Sequence, residues 1–158
     1  MIDDVDAKIL TILQQDARAS SAEIARQIGM APSAIHERMR KLEARGVVEG
    51  YEARINADAL GLGLTAFVFV RANERVGQDQ AGEQLAALPE VQEVHHVAGE
   101  DCYLVKVRVA DTHALSRLLR EGFSSVDAVT STRSTIVLST LKETANLPIR
   151  ATNEADHD

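Results

Sequence analysis

The residues best equipped for chemistry in this 158-residue chain lie in the stretch IGMAPSAIHERMRKLEARGVVEGY, from Ile28 to Tyr51. Between positions 33 and 45 it holds four arginines and lysines against two glutamates, inside a chain of net charge −7. Ser33, His36, Glu37, Arg40 and Lys41 share one side of a helical spacing, and Arg38 and Arg45 flank them. A helix fits the DNA major groove, and only its outward side chains reach base edges or phosphates. A helix in an ordinary bundle would carry a solvated charged face too, so charge alone leaves both readings open.

Other candidates lie further along. His95-His96 falls in an apparent strand, where adjacent side chains point to opposite faces, so the two cannot jointly chelate a metal. Glu100-Asp101 is either a carboxylate site or a solvated turn, and the single Cys102 is either a redox-sensitive or a structural thiol. Thr130, Thr132 and Ser134 form a row on one face of a strand, suited to a sheet edge or to a small polar pocket. GLGLTA (Gly61, Gly63, Ala66) imitates a dinucleotide fingerprint, but that motif must follow a strand and open a helix, and this one precedes the strand AFVFV. No catalytic set, metal site or cofactor motif stands out.

The elements that must position these residues can be read from periodicity. Asp3 as N-cap, with Val5, Ile9, Ile12 and Leu13 at helical spacing, predicts a helix over roughly 3–15. Ser20 and Glu23 have the spacing of a capping box for a second helix, with Ile24 and Ile28 inward and Gly29 as its left-handed terminator. Pro32 suits the first turn of a third helix, which buries Ile35, Met39 and Leu42 and ends at Gly46. A capped short helix, a Gly turn and a basic second helix describe a helix-turn-helix, and that order favours DNA binding. VVEGYEARI reads as a strand and residues 56–63 as a linker.

Beyond the linker, LTAFVFVRA (Leu64–Ala72) is a nearly continuous apolar strand, buried on both faces or at an interface. QDQAGEQLAALPE is a helix with Ala81, Leu85 and Leu88 inward, and VQEVHHV and the alternating YLVKVRV are strands. Asp111 or Thr112 caps a helix burying Leu115, Leu118, Leu119 and Phe123, and Val129–Leu141 is a long last strand. The order βαββαβ is that of a ferredoxin-like sandwich. The fold class is α+β, with domains at 1–50, a strand and linker at 51–63, the sandwich at 64–149 and a disordered polar tail at 150–158.

Composition sets bounds. The chain is 45% hydrophobic and 26% charged, as soluble globular proteins are, and no apolar run reaches the ~18 residues of a membrane helix. One cysteine gives no disulfide framework, and MIDDVDAKIL has no signal-peptide form, so a cytoplasmic location is expected. Residues 1–55 carry eight basic against nine acidic residues, and residues 56–158 nine against fifteen. The acidic excess thus lies mostly in the second part and does not exclude a local DNA-binding face.

Over about residues 2–149 the chain resembles the Lrp/AsnC (feast/famine) transcription regulators. The resemblance is carried by IDDVDAKILTILQQDARAS, EIARQIGMAPSAIHERMRKLEARGVVEGYEARIN, VHHVAGEDCYLVKVRV and LKETANLPI. It implies a winged-helix-like helix-turn-helix domain joined to a ligand-sensing domain of the RAM or ACT type. It also implies dimers that pair through their sheets and close into octamers, a near-palindromic operator, and an amino-acid effector at the turn between the second and third strands. Ser33, His36, Glu37, Arg38, Arg40 and Lys41 match the recognition helix. Gly99, Glu100, Asp101 and Cys102 match the effector turn, and Thr132 and Ser134 a hydroxyl pair of the last strand. There are two departures. Ala31 replaces a Ser N-cap, a loss of ~0.5–2 kcal/mol, and Cys102 replaces an Asp before Tyr103, leaving Asp101 as the candidate for an effector's ammonium group. Two rivals to this reading remain: an enzyme on the same fold, similar to sirohaem decarboxylases and using His95 and His96, and a sensor whose helix-turn-helix no longer binds DNA.

Overall fold

The computed structural model describes residues 2–75 and 78–151, so the polar tail from residue 152 lies outside the described residues. The chain divides into two compact units, one running to Arg54 and resuming at Glu143, the other Ile55–Lys142.

The first unit is built from α1 (Asp4–Gln15), α2 (Ser21–Ile28) and α3 (Pro32–Ala44). Its core is Ile9, Leu13, Ile24, Ala25, Ile35 and Leu42, with Val5, Ile12, Ile28 and Met39 packed at its margin. Asp3 caps α1 in a full capping box, its carboxylate accepting from the Asp6 N–H at 2.7 Å while Asp6 reaches back. Ser20 makes only half of the expected box: its hydroxyl accepts from the Glu23 N–H at 3.2 Å, while the Glu23 carboxylate faces Arg26 at 3.7 Å. Gly29 ends α2 at φ 81°, a conformation that favours glycine. From the other end of the chain, Leu147 lies against α1, its N–H donating to Gln14 Oε1 at 2.6 Å and its carbonyl accepting from Gln14 Nε2 at 3.1 Å.

The second unit runs β1 (Leu64–Ala72), α4 (Gln80–Ala86), β2 (Val91–His96), β3 (Tyr103–Val109), α5 (Thr112–Arg117) and β4 (Val129–Ile136). α5 continues through a wider turn and a 3-10 turn as far as Ser125. The strands form one antiparallel sheet in the order β2-β3-β1-β4, the βαββαβ sandwich expected from the sequence. Ala66, Val68 and Val70 of β1 and Tyr103, Val105 and Val107 of β3 face the helices and are buried with Leu85 and Phe123. By the same register, Phe67, Phe69 and Arg71 share the other face with Leu104 and Lys106 of β3 and Arg133 of β4.

Two sequence expectations are corrected. Residues 47–55 form no strand, because a strand needs a neighbouring backbone to complete its ladder, and VVEGYEARI makes no such pairing. β4 stops at Ile136 rather than Leu141. The Val137 N–H still donates to Thr65 O at 2.9 Å, but β1 begins at Leu64, so the partner strand runs out and Leu138 and Leu141 are each 97% exposed.

Gly82 is where α4 meets the sheet most closely: a Cβ there would lie 2.7 Å from Tyr103 Cε1. The Tyr103 ring cannot retreat freely, because its hydroxyl donates to Glu74 at 2.8 Å and Glu74 also accepts from the Ala81 N–H at 2.7 Å. Gly82→Ala is expected to cost about 1–3 kcal/mol by overpacking, read as a drop in thermal midpoint. An unchanged midpoint would show that Tyr103 shifts without strain.

Candidate nucleic-acid interface and effector turn

α3 presents the chemistry and α1 and α2 aim it. Ala31 stands at the N-cap with no side-chain bond, and Pro32 occupies the first turn. Ile35 and Leu42 are fully buried, and the Ser21 hydroxyl of α2 contacts Met39 Sδ at 3.7 Å. Ser33, His36, Arg40 and Lys41 are exposed on the opposite face. Arg40 donates to both Glu37 oxygens, at 3.1 and 2.9 Å, and Lys41 Nζ lies 3.6 Å from the same carboxylate. The Arg40 contact, with Lys41 behind it, holds the Glu37 carboxyl below the usual range. Glu37 therefore meters the cationic face, leaving one net positive charge among these three side chains.

Arg38 takes a different role from its neighbours. It turns back to α1 and donates to Asp3 and Asp6, each at 2.7 Å. Its place is a clamp between the recognition helix and the N-terminus of α1, where it sets the helix's position. Asp3 is held below its ordinary value of 3.8, first by the Asp6 N–H and then by Arg38. A depressed carboxylate adds stability above its unfolded value, and this is lost as pH falls through the lower folded value. Arg38→Ala leaves Asp6, with an 11% exposed side chain, without its cation. The expected loss is about 1–2 kcal/mol, below that of a fully buried pair because Asp3 is solvated. The acid limb of thermal stability below about pH 4 should also flatten, though not vanish, because the Asp6 N–H remains. An unaltered midpoint at pH 7 would remove the clamp from this account.

The turn between β2 and β3 carries the second constellation. Gly99 sits at φ 147°, which disfavours any side chain there. The Cys102 N–H donates to Val70 O at 2.8 Å, and its thiol lies 3.4 Å from both the N and O of Ala72. The thiol thus faces the β1 backbone. Glu100 accepts from Arg71 at 2.8 Å, and Asp101 accepts from Arg71 at 3.4 Å and Arg133 at 3.2 Å. The Arg133 guanidinium also lies over the Phe69 ring, 4.1 Å from its centroid. Thr132 and Ser134 pair with Val70 and Val68 and so point to the opposite face from Arg133, at the exposed β4 edge. Sequence reading missed Arg71 and Arg133. The available signal was that each interrupts a run of apolar or hydroxyl residues, Arg71 near the end of β1 and Arg133 in the middle of β4, but no local spacing connects residues 71, 101 and 133.

The histidines behave as period-two geometry requires. His95 pairs with Glu93 at 3.2 Å, while His96 stacks on Tyr103 with ring centroids 5.1 Å apart and meets Asp79 at 3.0 Å. Among the described residues no cluster of histidine, cysteine and carboxylates could hold a metal ion, and no helix is long and apolar enough to cross a membrane.

Residues 2–43 match the AsnC-type helix-turn-helix domain and residues 65–147 the Lrp/AsnC ligand binding domain. The HTH-type transcriptional regulator LrpA of Mycobacterium tuberculosis is 42% identical over 139 residues, spanning 88% of this chain and 91% of that protein. The leucine-responsive regulatory protein of Escherichia coli K12 is 34% identical over 151 residues, 94% of this chain and 92% of that protein. Among solved structures, a transcriptional regulator of Neisseria meningitidis in complex with L-methionine superposes with a TM-score of 0.85 at 31% identity, covering 94% of this chain and 97% of that one. A feast or famine regulatory protein from M. tuberculosis, complexed with L-methionine, gives 0.85 at 39% identity, covering 93% and 99%. With both domain models matched in order and relatives aligned along nearly their whole length, the chain belongs to the Lrp/AsnC family and is a helix-turn-helix transcriptional regulator with a ligand-binding domain, not an enzyme.

Proposed function

We propose that the protein reads a near-palindromic operator as a dimer, two α3 helices entering successive major grooves. Residues 1–50 are the reading head, and residues 64–149 the effector and assembly domain. Ser33, His36, Glu37, Arg40 and Lys41 face the DNA, and Arg38 acts through helix position. The observation that carries this reading is the exposed cationic face of α3 directly opposite its buried Ile35–Leu42 seam. Phosphate contacts would supply affinity and base-edge contacts specificity. The test is titration of a labelled duplex across salt concentrations. For about six phosphate contacts per dimer the log–log slope should lie near −5. Binding indifferent to salt would overturn the reading.

The effector is a free amino acid held at the Gly99–Cys102 turn, on the sheet face away from Thr132 and Ser134. The relatives solved with L-methionine support that ligand class and make methionine the first to try. Binding at the second unit would shift the spacing of the heads by favouring one arrangement of dimers. Pairing through the sheet face bearing Phe67 and Phe69, and closure into octamers, complete the proposed assembly. A cytoplasmic location fits a regulator that must reach DNA.

A further inference from the structure

We propose that Arg71 and Arg133 read the carboxylate of the bound amino acid, while Asp101 reads its ammonium group. The inference rests on the ligand reading above and deepens it. The four charges alternate at one end of the sheet, all within reach of the β2–β3 turn. Asp101 sits between the two guanidiniums at 3.4 and 3.2 Å, and Glu100 holds Arg71 from outside at 2.8 Å.

Exposed ion pairs add little to stability, so the cluster is a weak structural device. It has, however, the makings of a receptor. A guanidinium has five N–H donors, and these contacts engage two nitrogens of Arg71 and one of Arg133. Donors therefore remain for a planar carboxylate, which a guanidinium grips in bidentate fashion. The Arg133 guanidinium lies over the Phe69 ring, 4.1 Å from its centroid, which restrains where its fork can reach. The carboxylates differ in hold. The Asp101 side chain is 22% exposed and bound by both arginines, while that of Glu100 is 88% exposed and bound by one. Glu100 can swing away and yield its place on Arg71 to a ligand carboxylate, and Asp101 remains as the fixed anion. A free α-amino acid carries its two charges one carbon apart and matches a site whose opposite charges lie about 3 Å from each other.

Such a site demands both ends of the zwitterion. The test is calorimetric titration of the full-length protein with the twenty amino acids, and then with the amide and N-acetyl forms of the tightest binder. Wild type is expected to bind the free acid, and each blocked form about tenfold more weakly or worse. Arg71→Gln and Arg133→Gln should weaken the free acid and erase its advantage over the amide. Asp101→Asn should erase the advantage over the N-acetyl form, and Glu100→Gln should tighten the free acid by removing the competitor on Arg71. Changes in affinity ratio, unlike a uniform loss, do not arise from a damaged fold. If the wild type binds an amino acid but the arginine variants keep its preference for acid over amide, the arginine assignment is overturned and the ligand reading stands. If the wild type binds none of the twenty, both fall.

Discussion

Replacing Arg40 and Lys41 together by alanine is expected to remove most of the protein's DNA affinity at physiological salt. In a dimer the double variant deletes as many as four phosphate-directed cations. Each contact contributes about 0.9 to the log–log salt slope, so the slope should become shallower by about 3–4. The fold should be untouched, because both side chains are 65% exposed and their only described ion partner is Glu37. The variant should therefore melt as the wild type does. Glu37→Gln gives the opposite sign: with the metering carboxylate gone, binding to random duplex should tighten and the preference for a specific site should narrow. An intact slope in the double variant would place the DNA-binding face elsewhere.

Val68→Asp is expected to unfold the second unit outright. Val68 is 0% exposed at the centre of the helix-facing layer, and its β3 neighbour is the equally buried Val105. A carboxylate there has no cation on that face within the core cluster and would cost upwards of about 4 kcal/mol. Phe67→Glu probes the same strand from its other side. Phe67 is half-buried and pairs with Lys106, so the new charge is tolerated within the protomer. If the sheets pair through this face, the variant should stay folded by circular dichroism yet scatter light as a smaller species. A variant as large as the wild type would exclude this face from the assembly.

These two predictions depend on a distinction that the sequence of AFVFV does not contain. Its composition shows that apolar residues lie on both faces, but only the pairing register tells that Val68 and Val70 meet the helices while Phe67 and Phe69 do not. The helices were legible because their signals are local: Asp3, Ser20, Gly29, Pro32 and the Ile35–Leu42 spacing each act within a turn or two. The βαββαβ order was legible for the same reason, since period and punctuation change at each junction. What sequence reading misplaced depends on long-range partners. VVEGYEARI has strand-like residues but no backbone beside it, and β4 was read past the point where β1 begins. Arg38 has the look of a DNA contact because it lies among other basic residues, yet its two anions are more than thirty positions away in the chain. Cys102 looks like a weak stand-in for a ligand-binding aspartate, but its thiol is turned onto Ala72.

Selection of bound fragments from genomic DNA, followed by footprinting of the enriched ones, tests the central claim most directly. The account predicts a recurring near-palindromic sequence whose two half-sites lie about one helical turn, or a multiple of it, apart. It also predicts that the protected pattern changes when the amino acid that binds the second unit is added. Retention of random fragments with no shared sequence, or of none at all, would contradict it.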